Sequence, residues 1–318
     1  RVIPGRYPET PESFVLINDG TGHFTDQTQT IAPYLKKAGM ITDAVWIDLN
    51  NDQRKDLVIA GEWMPISVYI NQEGKLVNRT NDYFSKSYHG WWNRIYTGDF
   101  NKDGKTDLVV GNMGLNTQCR ASDKEPATLV YKDFDNNGAI DPIFCFYIQG
   151  KSYPYVTRDE LLDQVSMMRG RFTDYKSYAG ATLNEIFLEE ELHDVQRLGA
   201  NHLATTLFIA GSDGKFHEQP LPVQAQFSPV FAIASVDYNK DGHEDLLLCG
   251  NIAKARLRFG KYDANYGVLL ENDGKGNFRY VPQQRSGFSV KGDVRSVITA
   301  NNKILFGINQ QPLKAYEQ

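Results

Sequence analysis

The chain has 318 residues, 34 Lys and Arg against 39 Asp and Glu, a formal charge of -5, and 41% apolar residues. An acidic chain offers no basic face to a phosphate backbone, which argues against a nucleic-acid partner. Mean hydropathy is -0.46 and no apolar run approaches the ~18 residues a membrane helix needs, so no transmembrane segment is expected in this fragment. Cys119, Cys145 and Cys249 are too few for a disulfide framework; the last two lie in apolar runs and read as small core residues, while Cys119 sits in a loop. The chain opens at Arg1 without Met or leader, which reads as part of a longer, processed chain.

In chain order, residues 15–24 (VLINDGTGHF) place a Gly-containing turn between two short apolar runs and predict a β-hairpin. Then comes AVWIDL, an acidic stretch DLNNDQRKD at 48–56, a buried-strand pattern DLVIAG, and a hairpin at 68–77. The acidic stretch recurs as DFNKDGKTD at 99–107, DFDNNGAID at 133–141 and DYNKDGHED at 237–245. The hairpin recurs at 207–216 and 268–278. At 133–141 the acidic stretch falls where a hairpin turn is expected, so its metal is the least secure of the four. Four-stranded units repeated along a chain suggest an all-β fold, a β-propeller of four-stranded blades. Five units are counted, at roughly 40–85, 90–150, 151–222, 225–283 and one split between the termini, with six or seven also open. The split unit joins the N-terminal hairpin to the C-terminal strands, making residues 1–318 one domain. Residues 158–200 interrupt the pattern with Leu161, Leu162, Val165, Met168, Ile186, Phe187, Leu192 and Val195 at helical spacing, a helical insertion that reads either as a blade cap or as a binding lid.

The repeated loop carries the chemistry. First and ninth positions are always Asp, third and fifth Asp or Asn, and the sixth is Gly in three copies but Gln53 in the first. A hard cation takes six to eight oxygens, and alternate residues of a tight loop aim theirs at one centre. The expected ligands are Asp48, Asn50, Asp52, the Arg54 carbonyl and Asp56; Asp99, Asn101, Asp103, the Lys105 carbonyl and Asp107; Asp133, Asp135, Asn137, the Ala139 carbonyl and Asp141; and Asp237, Asn239, Asp241, the His243 carbonyl and Asp245. Three to four Ca2+ ions are therefore expected. Four would turn the formal charge of -5 into +3, so net charge alone is a weak guide to partners. The twelfth positions (Ile59, Val110, Phe144, Leu248) are apolar, which excludes an EF-hand.

The unit VWIDLNNDQRKDLVIAGEW resembles the FG-GAP or VCBS repeat of integrin-alpha-like propellers. GRYPETPESFVLINDGTGHFTD, GEWMPI, GWWNRI and TRDELLDQ are similar to motifs of bacterial VCBS-repeat surface proteins associated with ASPIC/UnbV domains. The resemblance implies an extracytoplasmic propeller (cell surface, periplasm or secreted) with calcium in its blade loops, and no established reaction. No GxSxG, HExxH, P-loop or CxxC occurs, which favours a binding or interaction module with structural calcium and a protein or carbohydrate ligand. The alternative is a lyase or glycosidase acting on polysaccharide, for which Glu62 and Asp43 are a conceivable carboxylate pair; a third reading is a structural domain docked on its neighbours. Trp91, Trp92 and Trp63 are candidate ligand platforms or packing residues, and Trp46 reads as core.

Overall fold

The structure is a computed structural model describing residues 5–255 and 260–317. It is all-β, with 39% strand against 13% helix. It divides into two compact units: one holds the described residues up to Met40, Tyr88–Gly90 and Gln118–His202; the other holds Ile41–Ser87, Trp91–Thr117 and the described residues from Leu203 on.

In the first unit, β1 (Leu16–Asn18) and β2 (Phe24–Asp26) form a two-stranded hairpin, as the 15–24 pattern predicts. The second unit opens with β3 (Met40–Ile47), β4 (Asp56–Pro65), β5 (Ser67–Gln72) and β6 (Lys75–Asn78) in that spatial order. After short β7 (His89–Trp91), β8 (Arg94–Gly98) and β9 (Asp107–Gly111) begin another sheet. The chain then leaves it. In the first unit, β10 (Ala127–Lys132), β11 (Asp141–Ile148), β12 (Lys151–Pro154) and β13 (Gln196–Ala200) build a separate antiparallel sheet, ordered β12-β11-β10-β13. Only then do β14 (Thr206–Ala210) and β15 (Phe216–Pro220) complete the interrupted sheet, with Leu207 opposite Val109. The units expected at 90–150 and 151–222 are thus not successive. They are one four-stranded sheet with another sheet inserted between its second and third strands.

The next sheet runs β16 (Val230–Val236), β17 (Asp245–Gly250), β18 (Val268–Asn272) and β19 (Phe278–Val281). The last has β20 (Val294–Ala300), β21 (Lys303–Ile308) and β22 (Lys314–Glu317), so the C-terminal stretch, read as inner strands only, carries an outer strand too. Within the second unit, consecutive sheets pack through their early strands: β4 near β8, β16 near β8 and β9, and β20 near β16 and β17. Phe100, Val109, Leu207, Ile233, Leu246 and Leu270 form one apolar core, and Ala232, Leu247, Cys249, Ile304 and Phe306 another. Gly111 is fixed by this closeness: a Cβ there would lie 2.6 Å from the Val230 carbonyl oxygen.

The helical insertion is shorter than the spacing predicts. One helix, Arg158–Gln164, is started by a Thr157–Glu160 capping box, followed by a 3-10 turn at Ser166–Gly170 and single turns at Tyr175–Tyr178 and Leu183–Ile186. Residues 196–200 are strand. The predicted apolar residues do share one face: Leu161, Leu162, Val165, Met168, Ile186 and Phe187 are buried against Val130, Ile143 and Cys145, with Leu192 and Val195 at the margin. Phe187 stacks on Phe134 at 4.3 Å between centroids. Trp46, read as core, is instead 51% exposed on β3.

In all four acidic loops the fourth residue is left-handed (Asn51 φ 58°, Lys102 58°, Asn136 57°, Lys240 59°), and so is the sixth: Gln53 at 67°, and Gly104, Gly138 and Gly242 at 82°, 85° and 81°. Gln53 thus adopts the turn its glycine counterparts adopt, at the steric expense of a Cβ. Its side chain is exposed. Gln53→Gly is expected to stabilise the protein by about 0.5–1 kcal/mol, after allowing for the extra freedom of glycine in the unfolded chain. A thermal melt of the variant at or below the wild-type temperature would contradict this.

Candidate metal centre

The four loops share one hydrogen-bond pattern, imposed by where Asp and Asn stand. The first Asp (Asp48, Asp99, Asp133, Asp237) accepts the backbone N–H groups of the fifth and sixth residues on its two oxygens, at 2.8–3.1 Å. The fifth (Asp52, Asp103, Asn137, Asp241) accepts the N–H of the seventh (Arg54, Lys105, Ala139, His243) at 2.7–2.9 Å. These are Asx turns that coil the backbone around a common side-chain cluster.

The ninth Asp is buried in every copy: Asp56, Asp107 and Asp245 completely, Asp141 almost so. One oxygen accepts the N–H of the second loop residue (Leu49, Phe100, Phe134, Tyr238) at 2.9–3.0 Å. In three copies the other oxygen accepts an N–H from the third strand of the sheet: Asn71 on β5 at 2.8 Å, Ala210 on β14 at 2.8 Å, Asn272 on β18 at 2.7 Å. Asp141 differs. β11's outer neighbour β12 pairs only with Cys145–Ile148, so no third-strand amide lies beside Asp141. Burial pushes the carboxyls of Asp107 and Asp141 up to about 6, helped by Asp103 and Asp99 for the first and by Asp135 and Asp133 for the second, against the lowering effect of the amides. Asp245 is raised for the same reason.

The third position separates the loops further. Asn50, Asn101 and Asn239 each accept the N–H of the fifth residue, at 3.1–3.2 Å, and Asn50 and Asn239 also donate to the fifth carboxylate. Asp135 has no amide hydrogens to donate. Its Oδ1 is buried without a hydrogen-bond partner. Ligand oxygens of Asp133, Asp135 and Asp141 lie within 4.8 Å of one another, the one such carboxylate group among the described residues. A buried, unpartnered oxygen within three clustered carboxylates fits a hard cation. The loop expected to be least secure is thus the one whose carboxylate oxygens cluster. The signal was present in its sequence: it alone has Asp at the third position and Asn at the fifth.

Two of the three aromatic candidates are buried in the fold and the third packs against one of them. Trp92 is completely buried, with its ring 6.5 Å from Phe208, and its carbonyl accepts from Thr42 Oγ1 at 2.7 Å. Trp63 is buried at a positive φ of 60° and meets half-buried Trp91 edge to face at 5.1 Å. Asp43, one of the conceivable catalytic carboxylates, accepts the Ile95 N–H at 2.7 Å and lies 3.5 Å from Arg94 Nε, a fixed structural acceptor.

Two outcomes follow from the ninth Asp. Asp107→Ala removes a charged acceptor from two buried amides and is expected to destabilise by about 3–5 kcal/mol, whereas Asp141→Ala, which frees one amide, costs about half as much in calcium-free protein. Equal losses in denaturant melts would contradict the bridging role. The raised carboxyl also predicts a pH dependence. Below 3.8 both folded and unfolded forms hold the proton; between 3.8 and about 6 only the folded form keeps it, so this contribution to stability is lost as pH rises through that window. The melting difference between calcium-free wild type and Asp107→Asn should shrink from pH 4 to pH 6; a constant difference would refute it.

A family profile described as FG-GAP-like repeat matches residues 48–110. No curated protein sequence matches the chain. Among matching solved structures is the V. cholerae biofilm matrix protein Bap1, at 9% identity and a TM-score of 0.31, covering 95% of this chain; the chain spans 66% of that protein's length, just under two thirds. The matched segment starts at the first Asp of the loop at 48–56, takes in β4 to β8 and the whole loop at 99–107, and ends on β9: over these residues the chain is similar to the FG-GAP-like repeat.

Proposed function

We propose that this chain is an extracytoplasmic interaction module built as a calcium-stabilised β-propeller. The four sheets of the second unit are its successive blades, a reading supported by the antiparallel order common to them, the acidic loop that three of them share and the packing of early strands on the next sheet. Calcium at 133–141 would be held by Asp133, Asp135, Asp141, the Asn137 side-chain oxygen and the Ala139 carbonyl. The other three loops offer the corresponding set with Asn at the third position. A bound cation supplies positive charge that neutralises the carboxylates; the residues themselves set the loop coil and the strand register. The observation that carries the calcium reading is the buried, unpartnered Asp135 Oδ1 among three carboxylates.

Thermal melts with and without calcium test it. An ion held at a hundred times its dissociation constant adds about 2.7 kcal/mol per site, so chelation is expected to lower the melting temperature by several degrees. Asp135→Asn supplies the amide found in the sister loops, so it should reduce the calcium response while leaving the calcium-free melt unchanged or higher. A melt indifferent to chelator, or a calcium response untouched by Asp135→Asn, would overturn the assignment.

A further inference from the structure

Beside the loop at 48–56, within the second unit, lies a cavity of about 180 Å3. Its lining includes half-buried Tyr83, whose ring lies 6.1 Å from that of buried Phe216. Asp48, Lys105, Lys215 and Ser212 also line it. Lys215 is half-buried, and its ammonium reaches only the Asn81 carbonyl, at 3.5 Å; among the described residues it has no carboxylate within ion-pair distance. Lys105 Nζ donates to the Gly211 carbonyl at 2.8 Å and stands 3.9 Å from Asp103. Each ammonium has three N–H groups, so donors remain on both. A partly desolvated cation without a counter-charge is a cost that an anion in the cavity would relieve.

We infer that this cavity binds one acidic sugar residue, a hexuronate. The carboxylate takes Lys215 and Lys105, the ring's C–H face lies on Tyr83, and a ring hydroxyl reaches Ser212. The volume suits it: at roughly 30 Å3 per water, the cavity holds about six waters, the space of a single sugar ring. Tyr83 favours a carboxylate carried on a sugar ring over a compact anion alone, since the latter would leave the aromatic face unused. This names the ligand class of the interaction module and rests on that reading.

The test is calorimetric titration of the intact, calcium-loaded chain with glucuronate, glucose and inorganic phosphate. Glucuronate should bind at least tenfold more tightly than glucose or phosphate, and at least tenfold more weakly to Lys215→Met, with Lys105→Met as the second variant should the first not fold. Absence of glucuronate binding at millimolar concentrations, phosphate binding as tight as glucuronate, or unchanged affinity in the folded variants would each overturn the inference. Melts of the same samples with and without chelator keep the two proposals apart: lack of sugar binding on a calcium-responsive protein sinks only this one, and sugar binding on a chelator-indifferent protein sinks only the calcium assignment.

Discussion

A buried carboxylate that holds three strands together is the constraint on which the rest depends. Asp56, Asp107 and Asp245 each lie at the start of a second strand, with one oxygen on the loop leading out of the first strand and the other on a backbone amide of the third. Such a group is expensive to desolvate, and its burial is tolerable only when both oxygens are met. The donor in the third strand is always one residue beyond the position facing the Asp: Tyr69 faces Leu57 and Asn71 serves Asp56; Phe208 faces Leu108 and Ala210 serves Asp107; Leu270 faces Leu246 and Asn272 serves Asp245. The carboxylate therefore sets register, which in a sheet buried on both faces decides every side-chain placement.

The same device explains how a sheet can be interrupted. The amide that serves Asp56 is 15 residues away in sequence and that for Asp245 is 27 away, but the amide for Asp107 is 103 away. Entropic loss on closing a longer connection grows only with the logarithm of its length. A third strand arriving late still finds a buried acceptor that fixes its register, together with Val109 facing Leu207 and the core beneath. Sheet and helices between Gln118 and His202 can consequently form a compact unit of their own.

The local elements were largely legible because their causes are local. The Asp at positions one and nine, the left-handed turn and the apolar runs that follow are all written in nine to fifteen consecutive residues, and the hairpins at 68–77, 207–216 and 268–278 stand where their turns place them. Pairing between distant strands was not legible. Nothing in LFIAGSDGKF says that its partner is β9 rather than a strand of its own neighbourhood, since period-two alternation encodes a face and not a partner. The helical insertion expected over 158–200, which is irregular after Ile186 and strand at 196–200, and the exposed Trp46 are failures of another kind: apolar residues at helical spacing also suit an irregular segment covering a core, and an apolar strand residue is buried only where something covers it.

The loop at 133–141 shows that nine residues do not by themselves decide whether a cation is needed. Its coil is that of its sisters, down to the first Asp's two amides and the left-handed Asn136. What differs is the company. Its sheet order puts β12 at the far end of β11, so Asp141 gains no third-strand amide, and Asp135 stands where an Asn would donate to its neighbour. Two missing donors leave negative charge in a half-buried cluster that the protein's own groups do not offset. In the sister loops, backbone and Asn amides have taken over part of what a cation would supply. On the calcium reading proposed above, the need for an ion would be set by the strands around the loop as much as by the loop itself.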